Sequence, residues 1–129
     1  MMGCEKLVVM VVDDYAAMRS YICDILKNMQ FEKVVEAENG AEALKLLECT
    51  KVDLIVADWN MPVMNGLEFL KKVRADERYN AVPFLMVTAY AEKDAIFAAL
   101  DAKVSDYIIK PFSIAGITEK VTRLIPRSD

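Results

Sequence analysis

The sequence contains no histidine and only three cysteines, and these absences exclude several kinds of active site. Without histidine there can be no Ser-His-Asp triad, no Cys-His pair and no histidine-ligated metal. Cys4, Cys23 and Cys49 are an odd number without C-x-x-C spacing, so they indicate reduced thiols rather than a zinc site. Any chemistry of this chain must therefore use other residue types.

Long apolar segments and an excess of basic charge are also missing. The apolar run at residues 7–12 ends in two aspartates and is too short for a signal-peptide core or a membrane span. Sixteen Lys and Arg against twenty Asp and Glu give a net charge of −4, the opposite of what phosphate backbones attract. We therefore expect a cytoplasmic protein that binds neither nucleic acid nor membrane.

Glycine and proline number four each and are spread singly, so no flexible linker marks a domain boundary. The length of 129 residues is that of one ordinary domain, and 55% hydrophobic residues supply material for a core. We predict a single domain over residues 1–129.

Apolar runs alternate five times with segments of helical periodicity. The predicted strands are residues 7–12, 34–37, 53–57, 84–88 and 106–109. The predicted helices are residues 15–29, two helices that open at Asn39 and Asn65, and residues 92–101 and 114–125. This alternation predicts a doubly wound α/β fold with a five-stranded parallel sheet.

Cap residues precede three of these helices. Asp14 is placed to cap the first helix. Asn39 with Glu42, and Asn65 with Glu68, have the spacing of capping boxes.

Polar residues stand at the ends of four predicted strands: Asp13 and Asp14, then Asp58, Thr88 and Lys110. In a doubly wound sheet the functional crevice lies beyond the carboxyl ends of the strands, near the point where the strand order reverses. Three carboxylates brought together there repel one another unless a cation lies among them or some stay protonated. An oxygen-only set of this kind suits Mg²⁺.

An aspartate can attack phosphorus and form an acyl phosphate. Asp58 is the best nucleophile because it lies between the acidic pair on one side and Thr88 and Lys110 on the other. Mg²⁺, the Lys110 ammonium and the Thr88 hydroxyl would each offer a partner to a phosphoryl oxygen. The pattern predicts a phosphoryl-acceptor site.

Each of these residues also has a purely structural interpretation. Asp14 and Asn65 can be helix caps, Thr88 can simply end a strand, and Lys110 can be a solvated charge. An aromatic residue in a strand, such as Tyr107, serves only in packing as often as it has a functional role. The joint placement at four successive strand ends nevertheless favours a site.

Four stretches of the chain resemble the receiver domains of two-component response regulators. They are residues 11–15 (VVDDY), 58–66 (DWNMPVMNG), 86–89 (MVTA) and 107–112 (YIIKPF). The DWNMP and MVTA runs resemble the CheY-type receivers of chemotaxis in particular, and the resemblance covers essentially the whole chain. It implies a flavodoxin-like sheet with strand order 2-1-3-4-5 and five helices.

The same resemblance implies that Asp58 is the phosphoacceptor and that Thr88 and Lys110 contact the phosphoryl group. It also implies a cis bond between Lys110 and Pro111. The implied Mg²⁺ ligands are Asp13, Asp14, Asp58 and the main-chain carbonyl of Asn60.

The resemblance further implies a switch. When the Thr88 hydroxyl moves toward the phosphoryl group, Tyr107 would rotate into the vacated space and reshape the surface of the fourth helix, fifth strand and fifth helix. The expected output face contains Lys93, Lys103, Tyr107 and Ile109.

The implied partners are a CheA-like histidine kinase, the flagellar motor switch protein or another protein target, and a possible phosphatase. We expect a monomer without an attached output domain, which catalyses only its own phosphotransfer and autodephosphorylation.

The chain departs from the CheY pattern at the fourth helix and just before it. Tyr90 stands where a Glu is common, Glu92-Lys93 replaces Lys-Lys, and Lys103 stands where Gly is usual. Asn60 and Tyr90 are expected to tune dephosphorylation, and the other changes put binding to the motor switch in doubt. A phosphate sink or a CheY paralogue with a non-motor target is the alternative.

Three other functions are disfavoured. A phosphatase of the haloacid dehalogenase type usually has a second Asp two residues after the nucleophile, where this chain has Asn60. A flavodoxin needs a phosphate-cradling loop after the first strand, and residues 13–17 (DDYAA) would repel phosphate. A receiver that binds without being phosphorylated is disfavoured because every acceptor-site residue is present.

Overall fold

The structure, a computed structural model, describes residues 6–90 and 92–125, in which five strands alternate with five helices. The strands are β1 (Val8–Val12), β2 (Lys33–Ala37), β3 (Leu54–Asp58), β4 (Phe84–Thr88) and β5 (Asp106–Ile109). The helices are α1 (Ala16–Asn28), α2 (Gly40–Cys49), α3 (Gly66–Ala75), α4 (Lys93–Asp101) and α5 (Ile114–Leu124). The predicted alternation is confirmed, and each predicted bound lies within one residue of the observed one.

The strands form one parallel sheet in the order β2-β1-β3-β4-β5, as expected. The chain passes from β1 to β2 on one side and then crosses to β3 on the other, so the strand order reverses at β1. Val12, the last residue of β1, pairs with Ala57 of β3. The carboxyl ends of β1 and β3 therefore flank the crevice in which such sheets bind ligands.

Apolar layers cover both faces of the sheet. Along β1, Val9 and Val11 join the core under α1 and α5, whereas Met10 and Val12 join the core under α2, α3 and α4. Every residue of β3 and β4 is buried, which explains why these strands are continuous apolar runs in the sequence. Within the described residues, no helix is long and apolar enough to cross a membrane.

Two of the three cysteines fall within the described part of the chain, and both are free thiols as expected. Cys23 is buried in α1, and Cys49 is exposed at the end of α2. Cys4 lies outside the described residues.

The two asparagine caps form as expected, with one difference. The Asn65 side chain accepts from the Glu68 amide while the Glu68 carboxylate accepts from the Asn65 amide, so this capping box is complete. The Asn39 side chain accepts from the Glu42 amide, but the Glu42 carboxylate bonds the amide of Glu38 instead of closing the box.

The prediction that Asp14 caps α1 is wrong. The N-cap position is Tyr15, which makes no side-chain cap bond. The Asp13 carboxylate accepts from the Tyr15 amide at 2.9 Å, because an aspartate readily bonds the backbone two residues further on. Asp14 is left exposed at the end of the β1–α1 turn.

Gly66 allows α3 to begin directly against the end of β3. Its amide donates to the carbonyl of Trp59 at 2.8 Å. A Cβ at this position would overlap the carbonyl oxygen of Asp58 and would lie 2.9 Å from the Cα of Trp59. Both obstacles are backbone, which cannot move aside without shifting the end of β3.

We predict that Gly66→Ala lowers the free energy of unfolding by about 3 kcal/mol, because the added methyl group must displace backbone. Urea unfolding followed by circular dichroism measures the change. Gly116→Ala is the matched control, since its Cβ would meet only the Ser113 hydroxyl at 3.1 Å and a methyl of Ile108 at 3.8 Å. A change at Gly116 as large as the one at Gly66 would contradict this account.

Candidate functional site

Three carboxylates meet at the carboxyl edge of the sheet. Asp13 and Asp14 follow β1, and Asp58 is the last residue of the adjacent β3. One oxygen from each residue lies within 4.8 Å of the others. The predicted acidic cluster is therefore present in the structure.

Asp13 is completely buried and one of its oxygens has no partner. Oδ1 accepts from the Tyr15 amide, whereas Oδ2 has no hydrogen-bond donor among the described residues. Burial, which disfavours the ionised form, raises the pKa of Asp13 to about 6, and the nearby charge of Asp58 acts in the same direction. The side chain thus presents a desolvated oxygen to the cluster.

Asp58 is buried beside the only ammonium group that contacts the cluster within the described residues. The Nζ of Lys110 lies 3.0 Å from Oδ1 of Asp58, and the Asp58 side chain is 8% exposed. Burial raises the pKa of Asp58, while the hydrogen bond and positive charge of Lys110 oppose that rise. Lys110 follows β5, so its side chain must reach past the end of β4 to make this contact.

Thr88 ends β4, between the strands that carry Asp58 and Lys110. It is 3% exposed, and its Oγ1 accepts from the amide of Tyr90 at 2.9 Å. The amide of Lys110 donates to the Thr88 carbonyl at 2.8 Å, and the Lys110-Pro111 bond is cis as expected. The structure therefore brings together five of the predicted residues: Asp13, Asp14, Asp58, Thr88 and Lys110.

The donor set fits a small divalent cation. It consists of oxygen atoms alone, and it includes a buried carboxylate oxygen that no protein donor among the described residues satisfies. One ammonium does not neutralise three carboxylates, so the cluster retains negative charge for a cation to offset. Oxygen ligands from a few carboxylates are the coordination that Mg²⁺ takes in proteins.

A hydrogen bond joins the segment that follows β3 to the segment that follows β4. The hydroxyl of Tyr90 donates to Oδ1 of Asn60 at 2.9 Å, and the Tyr90 and Trp59 rings meet edge to face with centroids 5.8 Å apart. Asn60 and Tyr90 each stand out in the sequence, but the contact between them was not predicted. Asn60 lies two residues after the end of β3, and Tyr90 lies two residues after the end of the neighbouring strand β4. This correspondence was the signal in the sequence that could have suggested the contact.

The four residues expected on the output face lie at the two ends of α4 and on β5. Lys93 is the first residue of α4, and Lys103 follows its end with a φ of 67°. Tyr107 and Ile109 are half-buried on β5, and Tyr107 lines a cavity of about 10 Å³ together with Thr88. A cavity of this size is at the lower limit for one water molecule.

Lys103 adopts the left-handed conformation in which Gly is usual. The Nε of Arg74 donates to the Lys103 carbonyl at 2.9 Å, which helps to hold the turn after α4 in this conformation. A non-glycine residue at positive φ is uncommon, so this hydrogen bond offsets part of the backbone strain.

Arg19 is a site neighbour that the sequence pattern did not indicate. It lies in α1, and its Nη1 donates to the main-chain carbonyl of Asp13 at 2.7 Å. The contact depends on how α1 packs beside the end of β1, which periodicity does not specify.

We predict that Asp13→Asn stabilises the metal-free protein by about 2 kcal/mol at pH 7.5. Because the pKa of Asp13 rises from 3.8 to about 6 in the folded protein, its ionisation destabilises the folded state increasingly between these pH values and fully above them. Asparagine removes this charge while its side-chain oxygen can still accept from the Tyr15 amide. Urea unfolding in EDTA measures the change. Asp53→Asn is the control, because Asp53 accepts from the Val8 amide at the opposite end of β1 and is expected to give no gain. A loss of stability in Asp13→Asn would contradict the prediction.

Comparisons with known proteins agree with this geometry. Residues 9–122 match the response regulator receiver domain family. The chain is 41% identical over 119 residues to the chemotaxis protein CheY of Pseudomonas aeruginosa, covering 92% of this chain and 96% of that protein. Among solved structures, Vibrio cholerae CheY4 aligns with a TM-score of 0.87 and 29% identity, covering 93% of this chain and 99% of that one.

A second solved structure concerns the acidic cluster. The receiver domain of a sensor histidine kinase from Pseudomonas aeruginosa aligns with a TM-score of 0.83 and 26% identity, over 92% of this chain and 97% of that one. That domain has a magnesium ion coordinated in its active-site cleft. With the family match, the sheet order and the acidic cluster in agreement, this chain belongs to the response regulator receiver domain family.

Proposed function

We propose that this chain accepts a phosphoryl group on Asp58 from a CheA-like histidine kinase, in a Mg²⁺-dependent reaction, and signals by altered binding to a protein target. The observation that carries the proposal is the setting of Asp58, a buried carboxylate with Lys110 at 3.0 Å and two further carboxylates within 4.8 Å. Family membership supports it, because receiver domains are signalling switches phosphorylated on aspartate in two-component systems.

In the proposed transfer, a carboxylate oxygen of Asp58 attacks the phosphorus of a phosphohistidine. The P–N bond breaks, and its electron pair remains on the imidazole nitrogen of the donor. Lys110 is placed to balance the negative charge that moves from the Asp58 carboxylate onto the phosphoryl oxygens. The hydroxyl of Thr88, on the adjacent strand, is the donor for a second oxygen.

Asp13, Asp14, Asp58 and the main-chain carbonyl of Asn60 are the residues proposed to hold Mg²⁺. When bound, Mg²⁺ supplies positive charge to the phosphoryl oxygens and relieves the repulsion among the carboxylates. Receiver domains typically bind Mg²⁺, which supports this assignment.

The proposed signal passes from Thr88 to Tyr107. Both residues line the same small cavity, so a movement of the Thr88 hydroxyl toward a phosphoryl group would enlarge the space beside the Tyr107 ring. Tyr107 would then turn inward and alter the output face, which also contains Lys93, Lys103 and Ile109. Phosphorylation needs only to shift an existing equilibrium between two arrangements.

The proposed target is the flagellar motor switch protein, reached by a cytoplasmic monomer, with a separate phosphatase as a further partner. The exposed Glu92 at the start of α4 and the exposed Lys103 beyond its end favour a second candidate. Their charges differ from those of the CheY pattern, and complementary charge helps to select a docking partner. The second candidate is a CheY paralogue with a non-motor target, or a phosphate sink that drains a shared kinase.

We predict that acetyl phosphate adds one phosphoryl group to the protein only when Mg²⁺ is present. Asp58→Asn should abolish the addition, because the nucleophilic oxygen pair is lost. Intact mass spectrometry measures the product, and the fluorescence of the neighbouring Trp59 follows the reaction.

Asp53→Asn is the matched control, since it removes a carboxylate at the opposite end of the sheet and should leave the reaction unchanged. A phosphoryl group that persists in Asp58→Asn, or addition that is equally fast in EDTA, would overturn the corresponding part of the proposal.

A further prediction concerns the lifetime of the phosphorylated state. Tyr90 places an aromatic ring, bonded to Asn60, beside the expected path of the hydrolytic water. Tyr90→Glu should accelerate loss of the phosphoryl group by about tenfold, less than a fully positioned general base contributes. Mass spectrometry after removal of the phosphodonor measures the rate.

Tyr90→Phe separates the two effects of the side chain. It keeps the ring and loses only the bond to Asn60, so its acceleration should be smaller than that of Tyr90→Glu. Equal or slower loss in Tyr90→Glu than in the unsubstituted protein would contradict a shielding role for Tyr90.

A further inference from the structure

Arg19 connects the β1–α1 turn, which contains Asp13 and Asp14, to the edge strand β2. Its Nη1 donates to the carbonyl of Asp13 at 2.7 Å, and its Nε donates to Oε1 of Glu36, on β2, at 3.0 Å. The Arg19 side chain is 17% exposed and its bond to the Asp13 carbonyl is partly buried, whereas the Glu36 side chain is 48% exposed and the ion pair is open to solvent. The planar guanidinium can hold a carbonyl and a carboxylate in fixed relative positions, which an ammonium cannot do.

Together with β2, Arg19 leaves Asp13 little freedom. The Asp13 amide donates to the carbonyl of Ala37 at 3.1 Å, and Oδ1 accepts from the Tyr15 amide at 2.9 Å. Arg19 engages the remaining backbone group of Asp13, its carbonyl. Only the buried Oδ2 is left without a donor among the residues that the structure describes.

This arrangement opposes the repulsion within the cluster. Asp13, Asp14 and Asp58 would lower their mutual repulsion if the β1–α1 turn moved away from β3. The bond from Arg19 resists that movement, because the guanidinium is anchored on β2 through Glu36. Glu36 also balances the positive charge of Arg19, so the guanidinium acts on the cluster mainly by holding the backbone.

We propose that Arg19 is a positioning residue for the divalent cation, which fixes the Asp13 carbonyl and thereby aims Oδ2 of Asp13 at the ion. The inference rests on the proposed Mg²⁺ site. Residues that orient metal ligands without touching the metal commonly change its affinity by 10- to 100-fold, about the effect expected here.

The test compares Mg²⁺ affinity in three variants. Arg19→Gln removes both bonds and should weaken Mg²⁺ binding by about tenfold. Arg19→Lys can donate to the carbonyl but cannot hold the carbonyl and Glu36 with one planar group, so its affinity for Mg²⁺ should lie between those of Arg19→Gln and the unsubstituted protein. Arg74→Gln is the matched control, because Arg74 is also half-buried and donates to the carbonyls of Lys103 and Val82 at the other end of the sheet. Titration of Trp59 fluorescence with Mg²⁺ alone gives the affinity, and the Mg²⁺-induced rise in Tm gives a second measure.

The two readouts separate positioning from general stability. Arg74→Gln should lower Tm without changing the affinity for Mg²⁺, whereas Arg19→Gln should lower both. Equal Mg²⁺ affinity in Arg19→Gln and the unsubstituted protein, or an equal loss in Arg74→Gln, would overturn the inference. If the unsubstituted protein shows no response to Mg²⁺, the proposed metal site itself is wrong and the inference falls with it.

A second variant keeps the test decisive if Arg19→Gln does not fold. Glu36→Gln preserves a hydrogen-bond acceptor for Arg19 but removes the charge that anchors it. This variant should weaken Mg²⁺ binding less than Arg19→Gln does. An unchanged affinity in both Glu36→Gln and Arg19→Lys would overturn the role assigned to Arg19.

Discussion

Electrostatic repulsion among Asp13, Asp14 and Asp58 is the constraint around which this end of the molecule is organised. A parallel sheet brings the ends of β1 and β3 to one edge, and one oxygen from each of the three carboxylates there lies within 4.8 Å of the others. Lys110 offsets part of the charge, and the raised pKa of Asp13 reflects the remaining cost of burial and repulsion. The fold tolerates a locally destabilising cluster, which is consistent with the proposed cation site.

The surrounding structure supplies the rigidity that such a cluster needs. Gly66 lets the first turn of α3 lie directly against the backbone at the end of β3, so Asp58 cannot shift freely. The Tyr15 amide and Arg19 hold Asp13 on the other side. These contacts are made by backbone groups or by a planar guanidinium, which are less adaptable than flexible apolar side chains. The acidic side of the site is therefore held in position before any ligand binds.

Strand ends could be predicted from the sequence because fully buried strands are apolar runs that stop at the first charged or polar residue. This is why the apolar pattern alone places Asp13, Asp58 and Thr88 at one edge of the sheet. Helix starts were less reliable. Asn65 and Glu68 form the expected capping box, but Asp14 does not cap α1, because the helix begins one residue later than a cap at Asp14 requires and its N-cap is Tyr15.

Contacts between distant segments were beyond the reach of sequence patterns. To predict the bond between Tyr90 and Asn60, one must know how the segments after β3 and β4 are placed relative to each other. To predict the bond from Arg19 to Asp13, one must know how α1 is rotated about its axis. Neither quantity leaves a periodic signal. Likewise, Lys103 shows no local preference for positive φ, and the turn that it occupies is held by Arg74 from another helix.

Tyr90 links the proposed acceptor site to the proposed switch through two different groups. Its amide donates to Oγ1 of Thr88, and its hydroxyl donates to Asn60, two residues beyond Asp58. If the Thr88 hydroxyl turns toward a phosphoryl group on Asp58, the bond from the Tyr90 amide must lengthen or break. Tyr90 would then lose its hydrogen bond to the Thr88 side chain while its hydroxyl remains bonded to Asn60, in the segment after β3. Because Thr88, Tyr90 and Tyr107 line one cavity, this exchange of bonds would change the space beside Tyr107. Tyr90 is therefore proposed to have two roles in this chain. It shields the phosphoryl group from water, and it helps to transmit the presence of that group to Tyr107.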